Sequence, residues 1–430
     1  MRRLVTCFFA CLLCMAAKAQ KPKNEMRDNL RLSASNFLVY PGPGSKVQTP
    51  APKGLQPFYI SHYGRHGSRY MSSPQEYDYA YDALRKAGEQ DKLTALGQDV
   101  LERLAFIRSE GSGRYGELTP LGVEQTRAIA RRMMERFPEV FEDDATIEAH
   151  STIVTRTVLS MTNALLQMAA INPKLRISCE ANFSDQYLFY IDRELTDKVR
   201  NIESVGPYAE FCRRHECWKR AMTALFNDTT YLSHAVSGER LNYYLFRMAS
   251  SLQNHEARKQ VTLYDLFTDE EIYENWLTQN AFWFLGYGFT PLNGNKQPYS
   301  QRYLLRQIIA DADSCIQHPH PGATLRFGHD TALLPLVCLM DINGYGQSIS
   351  DLEQLVKKGW VDYRVFPMAA NLQLVFYRKA PDDTDVLVKV LLNEQEATLP
   401  LPDSQAPYYR WADFRTHYLE LLDAYKQKKP

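Results

Sequence analysis

"PFYISHYGRHGSRY", residues 57–70, changes character partway along. Residues 57–64 are mostly apolar and aromatic and end at a glycine, the pattern of a short buried strand. Residues 65–70 then set Arg65, His66 and Arg69 around Gly67. In an open α/β sheet, ligands bind just beyond the carboxyl ends of the strands, which is where this turn falls. Cations so close together repel, more strongly in a low dielectric. A bound dianion reverses the balance, and the planar guanidinium fork suits phosphate oxygens.

Two later segments repeat the logic. "ATIEAHS" (145–151) reads as a strand and "TIVTRTVLSMTNALLQMAA" (152–170) as the helix behind it, with Arg156 about one turn in. "ATLRFG" (323–328) reads as a strand, followed by His329, Asp330 and a helical run from Thr331. Were these strands parallel neighbours, all three segments would meet in one crevice. Between the first two, "LTPLGVEQTRAIARRMMERFP" (118–138) has a helix-capping Thr119, Pro120 for its first turn and Pro138 past its end. Residues 371–379 and 385–393 resemble paired strands, and 411–427 a closing helix. Residues 181–321, with segments 194–226, 235–259 and 268–285, read as mostly helical. The expected architecture is an α/β fold: a core of 57–180 and 322–430, a helical insertion at 181–321, and an irregular lead-in at 20–56.

The chemistry expected of the crevice is phosphoryl transfer. Arg65, Arg69, Arg156 and His329 would bind a phosphate, His66 would attack it, and Asp330 would protonate the departing oxygen if its own pKa were raised. This arithmetic calls for no metal and no cofactor. Singly, each residue has a plainer account: Asp330 as a helix N-cap, Arg156 as a solvated helix residue, His66 as polar surface. Their joint occurrence, each behind a strand, favours the site. His62 reads as a packed core residue, and the Cys212/His215/Cys217 cluster matches no usual zinc spacing.

The ends and the charge narrow the class. Residues 1–19 have Arg2 and Arg3, an apolar stretch and a small-residue cleavage pattern, which read as an export signal. With it removed, 47 cations face 50 acids, so no global positive field exists for nucleic acid, and no other apolar run is long enough to span a bilayer. The protein is expected outside the cytoplasm, periplasmic or extracellular, with a small phosphate ester as its partner. The remaining five cysteines, an odd number, allow one or two bridges in such a compartment.

Four ordered stretches, "RHGSRYM" (65–71), "LTPLGVEQ" (118–125), "TRTVLSM" (155–161) and "GHDT" (328–331), together resemble the signatures of the histidine acid phosphatases, branch 2 of the histidine phosphatase superfamily. The resemblance implies a phosphoglycerate-mutase-like α/β core, a mixed, mostly parallel sheet flanked by helices, with a helical insertion. It implies phosphate binding by Arg65, Arg69, Arg156 and His329, a phosphohistidine at His66 and a proton donor at Asp330. "RHGSRY" looks like the multiple inositol polyphosphate phosphatases, which act on phytate. The His329-Asp330 pair is instead similar to bacterial and fungal phytases and glucose-1-phosphatases, and Met71 stands where the family has proline. A broad acid or sugar phosphatase, or a non-catalytic binder of phosphorylated ligands, are the alternatives.

Overall fold

The computed structural model describes residues 21–42, 44, 47–182, 195, 206–318, 322–402 and 406–427. The export-signal reading and most of residues 183–205 therefore fall outside the described residues. An eight-stranded sheet organises the chain, in the order β3-β2-β4-β1-β5-β6-β7 with β8 also on β6. The strands are β1 Gln56–Arg65, β2 Thr146–Ser151, β3 Arg176–Ala181, β4 Gly322–Gly328, β5 Asn371–Arg378, β6 Leu387–Leu392, β7 Gln395–Glu396 and β8 Tyr408–Arg410. The half formed by β3, β2, β4 and β1 is parallel, and from β5 onward the pairing is antiparallel. The expected mixed α/β class thus holds, and the three site-bearing strands are direct neighbours. Arg65 pairs with Gly328 and Ser151 with Phe327, so their carboxyl ends lie level.

The helices flanking and capping the sheet are α1 Pro74–Gly88, α2 Ala95–Gly111, α3 Pro120–Arg136, α4 Thr155–Ile171, α5 Gly206–Arg214, α6 Lys219–Thr223, α7 Thr229–Ala235, α8 Gly238–Ser251, α9 Asp269–Tyr287, α10 Arg302–Ile316, α11 Asp330–Leu339 and α12 Trp411–Gln427. As the sequence predicts, Thr119 caps α3 through a hydrogen bond from the Gly122 amide, with Pro120 in its first turn. One apolar core joins α9 to α12 with β5 and β6, and a second, on the other face, joins α3 and α4 with the parallel strands. A third is built mainly from helices: Tyr77, Ala80 and Leu84 of α1 and Val100, Leu104 and Ile107 of α2 pack with Leu241, Leu245 and Met248 of α8. The helical layer therefore draws on residues 74–111 as well as on residues after β3.

Residues 21–28 are helical and Leu30–Phe37 form a 3-10 helix, where the proline-rich composition predicts only irregular chain. Asn29 caps the 3-10 segment, whose last five residues are buried. Among the described residues, Cys179, Cys212, Cys217, Cys315 and Cys338 form no disulfide, where the sequence allowed one or two. No helix among the described residues is long and apolar enough to cross a membrane.

Candidate active site

The turn after β1 is held from three sides. The Gly67 amide donates to Ser160 Oγ of α4 (3.1 Å), and Ser160 in turn donates to the Arg156 carbonyl (2.8 Å). The Ser68 amide donates to Gln125 Oε1 of α3 (2.8 Å), and the Ser68 carbonyl accepts from the Thr119 amide (2.9 Å) and hydroxyl (3.1 Å). The backbones meet at two glycines. A Cβ on Gly67 would lie 2.4 Å from the Gly122 carbonyl oxygen, and one on Gly122 would lie 2.3 Å from that of Ser68. Threonine, glycine and glutamine of "LTPLGVEQ" thus have one job: they seat α3 against the 65–69 turn, which fixes where His66 points.

His66 is buried, and its Nδ1 lies 2.8 Å from the Gly67 carbonyl oxygen. A carbonyl only accepts, so Nδ1 carries the proton and Nε2 keeps the lone pair. Burial, then Arg65, Arg156, His329 and Arg69, push this imidazole well below its ordinary 6.5, so it stands neutral. The His329 ring lies edge-on, 5.7 Å between centroids. Its Nε2 is 3.2 Å from Thr152 Oγ1, and its backbone amide donates to the Tyr63 hydroxyl (3.1 Å). Burial and then Arg156 bring His329 down to about 4, against the opposing pull of Asp330.

Arg65 is the hub. Its Nη1 donates to the carbonyls of Asn36 (2.8 Å) and Phe366 (2.7 Å), and its Nη2 stands 2.7 Å from Asp330 Oδ2. Arg69 Nη1 donates to the Tyr70 carbonyl (2.8 Å), and its guanidinium lies 5.4 Å from the centre of the Phe37 ring. Arg156 belongs to the first turn of α4, nearer its start than the sequence predicts, because the helix begins at Thr155. Burial is the first cause lowering all three guanidiniums, to about 10 for Arg65 and Arg156. Their mutual repulsion adds to this, and Asp330 opposes it. The Nε groups of all three are buried without a hydrogen-bond partner among the described residues. Donors left so are what an anion would satisfy.

Asp330 differs from expectation in two ways. It is the first residue of α11, not the cap, and its Oδ1 accepts from the Thr331 amide (2.9 Å). Burial alone would raise its carboxyl, but Arg65, Arg69, His329 and the Asn36 amide together pull it below the ordinary 3.8. Without an anion in the cradle it is a carboxylate.

The sequence reading missed the residues that complete the wall. Asn36 Nδ2 donates to Asp330 Oδ2 (3.3 Å). Asn254 accepts from the Ser68 hydroxyl (2.7 Å) and donates to the Phe37 carbonyl (2.7 Å), tying the turn to the N-terminal segment. Asparagines isolated in sequence carry no local signal of such roles. His62, as expected, is core: it packs against Phe327, and burial followed by Arg326 lowers it to about 3.

Neutral buried histidines make the fold acid-sensitive. His62 (about 3), His255 (about 4) and His329 (about 4) all titrate near 6.5 when unfolded. Below that pH the unfolded chain binds protons that the folded one refuses, so stability falls as pH drops, by roughly 1 kcal/mol per pH unit for each group. Asp330 acts in the same sense but at lower pH: its contribution is complete above 3.8 and is lost only further down. The thermal midpoint is expected to fall steadily between pH 7 and pH 5, and a flat midpoint would show that these imidazoles are not held neutral.

The family model of the histidine phosphatase superfamily (branch 2) matches residues 209–393. Among solved structures, the chain is similar to the Bifidobacterium longum multiple inositol polyphosphate phosphatase in complex with inositol hexasulfate, at 16% identity and a TM-score of 0.74, over 90% of this chain and 97% of that one. It is similar to the phytase from D. castellii at 13% identity and a TM-score of 0.70, over 91% of this chain and 85% of that one. The apo phytase of Hafnia alvei matches at 12% identity and a TM-score of 0.53, over 86% and 98%. At such identities the likeness is one of fold. The family match is to the domain at residues 209–393, less than half of the chain.

Proposed function

We propose that this phosphatase is an exported phosphomonoesterase that works through a phosphohistidine at His66, with inositol polyphosphates as its leading substrates. The observation that carries the reading is the neutral, Nδ1-protonated His66 standing among three buried arginines whose Nε donors lack partners. Arg65, Arg69, Arg156 and His329 would bind the phosphoryl oxygens and stabilise the charge that spreads over them in transfer. His66 Nε2 forms a bond to phosphorus while the phosphorus–oxygen ester bond breaks. The leaving oxygen takes the proton of Asp330. Water then attacks the phosphohistidine, Asp330 takes a proton from that water, and the phosphorus–nitrogen bond breaks to release inorganic phosphate. Asp330 acquires its proton with the substrate: a dianion offsets the arginine charge that otherwise holds the carboxyl down. Mild acidity should therefore favour turnover.

The inositol polyphosphate assignment draws on the "RHGSRY" motif and on neighbours described as an inositol polyphosphate phosphatase and phytases. Export draws on the signal read in residues 1–19. Phosphate release from phytate, glucose 1-phosphate and an aryl phosphate tests the reading, with the highest kcat/KM expected on phytate. A preference for glucose 1-phosphate would replace the substrate but not the chemistry. Saturable phosphate binding with no release from any of the three would sink the enzyme.

A further inference from the structure

Ser35, one residue before Asn36, has φ +52° and ψ −123°, a region a side-chain-bearing residue rarely enters. Something must hold it there. Its hydroxyl donates to Asp362 Oδ2 at 2.5 Å, and the other oxygen of that carboxyl accepts from Trp276 Nε1 at 2.8 Å. Asn280 Oδ1 accepts from the Asp362 amide (2.9 Å). Asp362 is fully buried, and no lysine, arginine or histidine forms an ion pair with it among the described residues. A carboxyl without a cation so deep in the fold is costly; burial pushes this one up to about 6. The bond between Ser35 and Asp362 closes a loop of contacts that runs through the Arg65 guanidinium. Asn36 follows Ser35, and Phe366 follows Asp362 by one turn. Their carbonyls are the two acceptors that orient Nη1 of Arg65, whose Nη2 faces Asp330. The Asn36 amide reaches Asp330 directly.

We infer that the Ser35–Asp362 hydrogen bond is a positioning device: it staples the two loops that aim the Arg65 fork, and through that fork it sets the Asp330 carboxyl. The inference rests on the phosphatase reading above. The titratable groups that share the field of Asp330 are Arg65 at the end of β1, Tyr63 within it, Arg69 in the turn that follows, Arg156 of α4, Tyr287 of α9 and the adjoining His329. Arg65 is tied by side-chain hydrogen bonds to both stapled loops. With the staple cut, Arg65 loses its aim, and Asp330 moves up toward an ordinary carboxyl.

The test compares Ser35→Ala and Asp362→Ala with wild type and with His66→Ala, all as full chains, on one alkyl and one aryl phosphate. Both staple variants are expected to lose about ten- to a hundredfold in kcat, with less change in KM. Their alkaline kcat limb, where Asp330 deprotonates, should move to higher pH. Ser35→Gly accepts φ +52° without strain and removes the side chain with its hydroxyl, so it should share the phenotype and serves if Ser35→Ala does not fold. Wild-type kcat and an unmoved limb in the staple variants, beside an inactive His66→Ala, would overturn this inference alone. A loss that merely follows the folded fraction, equal at every pH, would overturn it too. An active His66→Ala would remove the phosphatase reading beneath it.

Discussion

Asp330→Asn is expected to slow hydrolysis of an alkyl phosphate by about 10²- to 10⁴-fold while sparing an activated aryl phosphate much of that loss. An inositol or sugar alkoxide leaves poorly without a proton, whereas a nitrophenolate leaves nearly unaided. The asparagine nearly keeps the shape of Asp330, which is buried at the start of α11, so the difference between the two esters isolates the proton. The same change removes the negative charge 2.7 Å from Arg65 Nη2. The cradle becomes more positive, and inorganic phosphate should bind the variant more tightly. Steady-state kinetics on the two esters, with phosphate as competitive inhibitor, read both effects. Equal losses on both esters would remove Asp330 as proton donor.

His66→Ala is expected to reduce kcat by on the order of 10⁴-fold or more on either ester, with phosphate binding retained. The neighbouring His329 is not expected to take over, since its Nε2 is engaged by Thr152. The binding side chains Arg65, Arg69 and Arg156 are untouched, and the turn keeps its backbone bonds from Gly67 and Ser68 to α4 and α3. Calorimetry with phosphate beside a turnover assay checks the pair. A variant that neither binds nor turns over would mean that the imidazole shapes the cradle, not that it attacks.

How much of this could be read from the residues alone follows from where the signals lie. β1, β2 and β4 announce themselves because buried central strands are short apolar runs ended by turns, and their neighbour order then brings Arg65, His66, Arg156, His329 and Asp330 to one level. β3 does not: "RISCEA" is an almost wholly exposed edge strand of mixed polarity with no such run. The helices α1 and α2 bury their apolar faces against α8, across more than a hundred residues, so their role in the cap has no local mark. Ser35 and Asn36 escape for a sharper reason. Composition gives no hint that a serine will sit at φ +52°, or that the next residue will meet a carboxyl 294 positions away. The state of Asp330 was likewise hidden: burial and arginines act in opposite directions, and only the observed spacing decides that the arginines win.

The central claim is that phosphorus becomes bonded to one particular nitrogen. Rapid acid-free quenching of the enzyme with a radiolabelled phosphate ester, followed by peptide mapping, tests it most directly. The expected label survives alkali, is lost in acid as a phosphoramidate is, and maps to the peptide containing His66. A label on any other residue, or one that persists in His66→Ala, would contradict it.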